Sequence, residues 1–193
     1  MMKFDSFVDC KKCIYSDAYR YNGNYSFMSF LKLYIITIGF RYTVWMRLCT
    51  YFMTRKWALP FYLWSIFRLK HLSYKSGIQI SWKTQIGKGF YIGHFGTIVI
   101  SPHAILGNNV NISQGCCIGA ANRGKRKGAA IIGDCVYFGP GSKVVGAIKI
   151  GNNVCVGANA VVTSDIPDEA CVAGIPATVI SMNGVESYID RKV

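Results

Sequence analysis

Three histidines, His71, His94 and His103, are the side chains of this sequence that exchange a proton near neutral pH. Such a side chain can act as a general base and remove the proton of a hydroxyl group. His94 follows Ile92 and Gly93 in the stretch "QIGKGFYIGHFGTIVI", which belongs to a repeating pattern. His71 lies at the basic end of a predicted helix, and His103 in "SPHAILG" has the setting of a surface turn. His94 is therefore the candidate catalytic base.

Eight cysteines form a second set of reactive groups. Cys10 and Cys13 in "CKKC" make half of a zinc knuckle, but no second pair follows at ligand spacing. Cys116 and Cys117 are adjacent, and neither has an evident base beside it, which disfavours a cysteine nucleophile. No secretory signal peptide is recognisable, so a reducing cytoplasm is expected. We predict ordinary buried thiols and no metal site.

Charge is unevenly distributed along the chain. The formal net charge is +13, and positions 18 to 133 contain fifteen Lys and Arg but no Asp or Glu. This imbalance predicts an anionic partner. The candidates are nucleic acid, an anionic membrane surface, and a phosphate-bearing cofactor or substrate. No helix-turn-helix, zinc-finger or RNP-like pattern accompanies the charge, so nucleic acid is disfavoured.

Residues 1–76 are rich in aromatic and aliphatic side chains and poor in glycine, which predicts helices, broken near Gly39 and Pro60. The apolar run Trp57–Phe67 is eleven residues long, well short of the roughly 20 that span a bilayer. The helices are expected either to pack on a partner subunit or to lie in a membrane interface, at the inner face of the membrane. We favour the partner subunit.

Apolar residues recur every six positions through the rest of the chain. The rungs are Ile80, Ile86, Ile92 and Ile98; after a two-residue slip, Ile100, Leu106, Ile112 and Ile118; and then Ile132, Phe138, Val144, Ile150, Val156 and Val162. Glycine follows eight of these fourteen rungs, where a corner needs a flexible backbone. Repetition at a short fixed period indicates a solenoid.

Three six-residue sides make one triangular coil, and coils stack at the strand spacing of about 4.8 Å. The rung side chains point inward, so stacked isoleucine and valine form the core. We predict a mainly β protein, a left-handed parallel β-helix over residues 77–180, preceded by an N-terminal α-helical segment (1–76) and followed by a C-terminal tail (181–193).

Several stretches in order resemble the hexapeptide-repeat acyltransferases, in particular the serine O-acetyltransferase branch and its colanic-acid-type relatives that acetylate sugars of exported polysaccharides. These stretches are the repeats around "QIGKGFYIGHFGTIVI", the slip after Ile98, "ISQGCCIG", the basic loop "AANRGKRKGAA" and the ending "VTSDIPDEACVAGIPATVI". The resemblance covers residues from about 45 to the end.

The resemblance implies direct acetyl transfer from acetyl-CoA to a hydroxyl group, without a metal or an acyl-enzyme. His94 matches the family's catalytic histidine, and Gln79 stands where an Asp accompanies it. The resemblance also implies a homotrimer, with the coenzyme between adjacent subunits and the N-terminal helices available to join two trimers. The expected coenzyme contacts are Gly139, Lys143, Gly157, Ala158, Ala173, Gly174, Pro176 and Ala177.

The sequence departs from the serine-specific pattern where the acceptor would bind. Besides Gln79 in place of Asp, Gly93 replaces a second Asp, and Gly128-Ala129 replace an Arg-His pair that grips serine. We therefore predict a sugar unit, free or lipid-linked, as acceptor, contacted by Gly93, Asn122 and Arg123. L-Serine is the alternative. A β-helix without this catalysis, such as a scaffold, is the alternative from another class.

Overall fold

The structure is a computed structural model that describes residues 3–193. It contains four α-helices: α1 (Phe7–Asn22), α2 (Phe27–Ile36), α3 (Ile38–Phe52) and α4 (Leu59–Ser76), with a 3-10 helix at Lys56–Ala58 before α4. A capping box between Ser6 and Asp9 starts α1, and Gly23 ends it in the left-handed conformation. The predicted break near Gly39 lies at Thr37, and Pro60 occupies the first turn of α4, where proline is tolerated.

Fifteen short strands follow the helices. They are β1 (Ile78–Ile80), β2 (Gln85–Ile86), β3 (Tyr91–Ile92), β4 (Ile98–Ile100), β5 (Ile105–Leu106), β6 (Asn111–Ile112), β7 (Cys117–Gly119), β8 (Ile131–Ile132), β9 (Tyr137–Phe138), β10 (Lys143–Val145), β11 (Lys149–Ile150), β12 (Cys155–Val156), β13 (Val161–Val162), β14 (Cys171–Ala173) and β15 (Thr178–Ser181). The first sheet has the order β1-β4-β7-β10-β13, the second β2-β5-β8-β11, and the third β3-β6-β9-β12-β14-β15.

All fourteen predicted rungs are buried, none more than 3% exposed, and they belong to one core cluster. The strands pair in parallel from coil to coil, apart from the antiparallel pair β14 and β15. The predicted fold class, a parallel β-helix with an N-terminal helical segment, is confirmed.

The two-residue slip has a structural cause at the corner between β3 and β4. Ile92 pairs with Ile112, a separation of 20 residues, whereas Ile100 pairs with Ile118, a separation of 18. The first coil thus has two more residues at this corner than the second. Backbone bonds from Gly93 N to Ile112 O (3.2 Å) and from Gly115 N to Gly96 O (2.9 Å) enclose the extra length. Residues 94–96 therefore form a bulge.

The helices close the open end of the β-helix, because the first coil has no preceding coil to pair with. The Tyr42 hydroxyl accepts from Ile80 N (3.0 Å) and donates to Ile80 O (2.8 Å), as a neighbouring strand would. Tyr21 does the same for Ile92, at 3.0 Å for both bonds. Ser73 Oγ donates to Ile78 O at 2.6 Å.

A buried ion pair performs the same task on the second side of the first coil. Arg47 of α3 and Asp17 of α1 are 1% and 0% exposed, and Arg47 Nε lies 3.0 Å from Asp17 Oδ2. Arg47 also donates to Ile86 O and Gly87 O, each at 2.6 Å, while Asp17 accepts from Phe90 N at 2.8 Å. Both charges are therefore bonded to the backbone of the coil as well as to each other.

The far end of the prism is closed by the chain itself. Strand β15 turns back antiparallel on β14. The segment after it returns along the third sheet, where Val185 and Ile189 pack on Cys155, and Asn109 exchanges hydrogen bonds with the backbone of Val193.

Within residues 3–193, no single helix is long and apolar enough to cross a membrane. Helices α2 and α3 together have the length and composition of a membrane span, but they are bent by 107° with respect to each other. Ten of the fifteen residues of α3 are buried inside the protein.

Replacing Tyr42 with Phe tests the role of the tyrosine cap. We expect this variant to lose about 1–3 kcal/mol of unfolding free energy, because the N–H and C=O of Ile80 are left buried without their partner. Tyr74→Phe is the matched control, since Tyr74 is 87% exposed. Denaturant titration of both variants gives the comparison. Equal stability of the two would show that the Tyr42 hydroxyl does not support the coil.

Candidate active site

The bulge between β3 and β4 presents His94 to solvent. His94 and Phe95 are exposed, while Ile92 and Ile98 on either side are buried. Gly96 has φ 117° and Thr97 has φ 51°, a conformation that a β-branched residue rarely adopts. Among the residues that the structure describes, the His94 ring has no hydrogen-bond partner. The imidazole is therefore available to a substrate.

Gln114 is a residue that the sequence analysis did not single out, and it lies opposite the bulge. In the register, Gly93 lies beside Ser113 and Thr97 beside Gly115, which leaves Gln114 opposite residues 94–96. Its Oε1 is buried and has no partner among residues 3–193. Gln114 could have been found from the sequence as a polar residue at the corner of the second coil that faces the two additional residues of the first coil.

Most of the predicted coenzyme positions share one edge of the prism with His94. This site edge consists of the corners at which the chain passes from the third sheet to the first. Ile92, Ile112, Phe138, Val156 and Val172 stack in register. The next one or two residues after these rungs include Gly93, His94, Gly139, Gly157, Ala158, Ala173 and Gly174.

Small residues on the site edge have a packing role of their own. A Cβ on Gly139 would lie 2.8 Å from Ala158 N, and one on Gly157 would lie 3.1 Å from Val172 O. Larger side chains there would push successive coils apart. Ala158 and Gly174 are exposed, so this edge also leaves backbone accessible to an extended ligand.

Pro176 and Ala177 lie just beyond the site edge. Pro176 is exposed and follows a cis peptide bond. Ala177 is buried, and its N–H donates to Val161 O at 2.8 Å, which ties the end of the last coil to β13.

Lys143 projects outward from β10 in the first sheet, beside Cys117 of β7. Its Nζ donates to Gly115 O at 2.5 Å and to Gly141 O at 2.9 Å. In this conformation the ammonium group binds the corner backbone next to Gln114. It would have to release these carbonyls to reach a phosphate.

Gln79 lies on β1, and its register partner is Val99 of β4 rather than His94. It lines a cavity of about 720 Å³ between α4 and the first two coils, together with Lys70, Ser73 and Trp82. His94 is not among the lining residues of this cavity. The two catalytic candidates both belong to the first coil, without a hydrogen bond between their side chains, and the role of Gln79 stays a prediction.

Asn122 and Arg123 are exposed in the loop between β7 and β8. The base of this loop is closed by two backbone bonds between Ala121 and Gly128 (2.8 and 2.9 Å). Arg126 lies 3.5 Å from Asp165, in an exposed ion pair. The structure places this loop at the corner between the first and second sheets, away from the site edge of the same chain.

Three of the buried cysteines are unsuited to act as nucleophiles in this conformation. Burial raises the pKa of the Cys10 and Cys13 thiols to about 12, so both stay protonated. Burial also raises the pKa of Cys116, whose sulfur contacts Ser142 Oγ at 3.4 Å. Within the described chain, no group of three or more His, Cys, Asp or Glu side chains is placed to hold a metal ion.

Comparison with known proteins finds similarity to hexapeptide transferases and to serine acetyltransferases. Residues 129–164 match the family described as bacterial transferase hexapeptide, six repeats. A serine acetyltransferase of Staphylococcus aureus (strain Mu50) is 39% identical over 110 residues, which cover 57% of this chain and 52% of the relative. The chain thus spans about half the length of the curated relatives that it matches.

Solved structures extend the similarity to the helices. The serine acetyltransferase of Neisseria gonorrhoeae in complex with serine is 26% identical, with a TM-score of 0.68 over 90% of this chain and 70% of that one. A serine acetyltransferase in complex with CoA superposes with a TM-score of 0.69 over 90% and 70% of the two chains; at 24% identity it supports the fold alone. The chain is therefore similar to serine acetyltransferases in its repeats and in its architecture.

Deleting residues 95 and 96 tests the origin of the bulge. The deletion restores at this corner the spacing of the later coils, so we expect the coils to stay in register and the melting temperature to change little. Deleting residues 158 and 159, at a corner without extra length, is the control. That deletion should prevent β13 from continuing the first sheet and lower the melting temperature strongly. Thermal unfolding followed by circular dichroism measures both, and equal losses would contradict the assignment of the bulge.

Proposed function

We propose that the chain is an acetyl-CoA-dependent O-acetyltransferase of the serine acetyltransferase type. The observation that carries this proposal is the position of His94, exposed on a two-residue bulge at the edge where the small residues of successive coils align. The similarity to serine acetyltransferases supports it.

The proposed reaction is a direct transfer. His94 takes the proton of the acceptor hydroxyl, and the oxygen attacks the carbonyl carbon of the thioester. A backbone N–H of a neighbouring coil donates to the developing oxyanion. The carbon–sulfur bond then breaks, the new ester remains on the acceptor, and the thiolate of CoA receives a proton from the imidazolium. In this proposal the acceptor oxygen attacks the thioester directly, so no acyl-enzyme is formed.

The donor is expected to lie along the site edge. An extended pantetheine chain needs accessible backbone groups and little side-chain bulk, which Ala158, Ala173 and Gly174 provide. One of the similar structures is a complex with CoA, which supports the choice of donor. Lys143, near the same edge, is the cation that we propose for the phosphates, once it leaves the corner carbonyls.

The proposed assembly is a homotrimer, following the resemblance of the sequence to hexapeptide acyltransferases. In a single chain, the basic loop with Asn122 and Arg123 lies on a different corner from His94. A three-fold arrangement can bring this loop of one subunit to the site edge of the next. The acceptor site would then be complete only between subunits.

L-Serine is the acceptor that the comparisons favour, because the matched sequence relatives are serine acetyltransferases and one similar structure contains serine. The preference for a sugar of a surface polysaccharide, derived above from the sequence, receives no support from them. A sugar remains the second candidate on account of three residues of this chain. Gln79, Gly93 and Ala129 offer no charge for the ammonium or carboxylate group of an amino acid.

Replacing His94 with Ala tests the general base. We expect the rate of acetyl transfer to fall about 100-fold or more, since no other group can take the hydroxyl proton. His103→Ala, which removes an exposed histidine from another corner, is the control and should keep the full rate. The release of CoA thiol, followed with a chromogenic disulfide, reports both. An unchanged rate in His94→Ala would remove this residue from the mechanism.

Comparing acceptors separates the two candidate functions. With acetyl-CoA as donor, we expect O-acetylserine to form from L-serine, and Ala129→His to raise kcat/KM for serine by supplying a group of the missing clamp. Product identification by mass spectrometry, with hexoses and aminohexoses as competing acceptors, decides the substrate class. A higher kcat/KM for a sugar would establish the second candidate, and no transfer to any hydroxyl would refute the proposed activity.

A further inference from the structure

Helix α2 is apolar in composition, yet none of its residues is buried. Its sequence FMSFLKLYII has one charged residue, Lys32. Met28 and Ile36 are each 69% exposed, and Ile35 is 61% exposed. A short helix of this composition gains little from water contact, because its stability normally comes from covering an apolar face.

Helix α4 has the same character on the side that faces away from the core. Ser65, Leu69 and Leu72 are buried at helical spacing. Trp64 and Phe67, on the opposite side, are 55% and 59% exposed. Trp57 in the preceding 3-10 helix, together with Leu59, Phe61 and Leu63, extends this exposed apolar surface toward the start of α4.

Helices α2 and α4 both pack on α3, and each of them contacts Trp45 of that helix. Trp45 Nε1 donates to the hydroxyl of Tyr34 in α2 at 2.9 Å. The guanidinium of Arg68 in α4 lies 5.5 Å from the centre of the Trp45 ring. We call the exposed residues of α2, the 3-10 helix and α4 the helical face.

The charged residues within the segment that carries the helical face are all basic. Residues 27–76 contain no Asp or Glu, and they contain Lys32, Arg41, Arg47, Arg55, Lys56, Arg68, Lys70 and Lys75. Within residues 3–193, Arg47 is the one of these eight with a carboxylate partner, and it is buried. A symmetric contact between two such faces would bring like charges together, which disfavours a second copy of this face as the partner.

We propose that the helical face docks on an anionic lipid surface, with α2 and α4 lying in the plane of the membrane interface. Exposed tryptophan and phenylalanine are side chains that partition into this region. The lysine and arginine side chains can keep their stems along the apolar surface and place their charges among lipid phosphates. This inference does not depend on the proposed function, and it selects the membrane over the partner subunit favoured from sequence.

Vesicle sedimentation with the full chain tests the proposal. We expect binding to vesicles of phosphatidylcholine mixed with phosphatidylglycerol, weaker binding to phosphatidylcholine alone, and a decrease with added salt. The double variant Trp64→Ser/Phe67→Ser should bind the mixed vesicles about tenfold more weakly or worse, since two interfacial anchors are lost. Because both side chains are exposed, the circular dichroism spectrum should be unchanged.

A matched control replaces two exposed apolar residues at the other end of the prism. Ile180→Ser/Met182→Ser removes comparable side chains in and next to β15 and should leave vesicle binding unchanged. Failure of the wild-type chain to bind mixed vesicles, or equal binding to both lipid compositions, would overturn the proposal. It would also be overturned if Trp64→Ser/Phe67→Ser lowered the molar mass in solution, measured by light scattering without lipid, because the face would then be a protein interface.

Discussion

A parallel β-helix has two ends at which the hydrogen-bonded ladders stop, and each buried N–H and C=O there needs a partner. At the first coil of this protein, side chains from the helices provide these partners. The hydroxyls of Tyr21 and Tyr42 bond the backbone N–H and C=O of Ile92 and Ile80, as a neighbouring strand would. The pair Arg47–Asp17 bonds the backbone of residues 86–90. The helical segment is therefore bonded directly to the coils, and buried residues of α3 and α4, such as Tyr42 and Leu72, share their core.

The use of a buried charge pair has a physical consequence for specificity. Such a pair costs desolvation energy that its mutual attraction barely offsets, so it stabilises only when its remaining hydrogen bonds are made. Here those bonds exist only if α1, α3 and the first coil meet in one register. Aliphatic side chains at positions 17 and 47 would tolerate a displaced helix, whereas these two residues would not.

The candidate site depends on the regularity of the coils that surround it. The later coils carry small residues at this edge, such as Gly139 and Gly157, whereas two additional residues in the first coil place an exposed imidazole there. Thr97, held in a left-handed conformation, marks the end of this departure. His94, the proposed base, thus lies on a short, constrained segment between two buried isoleucines, which suits a group that must keep its position.

The sequence predicted the coils well because a six-residue period is a local property that survives in any part of the chain. All predicted rungs from Ile80 to Val162 are buried, but the slip predicted after Ile98 lies before it, at residues 94–96. Ile98 pairs with Ile78, and it is Ile100 that continues the stack from Ile80. Asp17 and Arg47 were not anticipated as core residues, since charged residues are usually exposed and their pairing joins positions 30 apart. Gln114 was missed because its importance comes from the neighbouring coil. The acceptor was not predictable, because in the proposed trimer its recognition would depend on groups from other subunits.

The closure of both ends of the β-helix also limits where coils can be added to it. A new coil added before Ile78 would lack the tyrosines and the arginine that fit this particular turn, and one added after β14 would have to displace the returning strand. Growth by duplication is therefore confined to the middle of the stack. Each inserted coil would move the C-terminal part away from His94 by about 4.8 Å, while the structures that close the two ends stay unchanged.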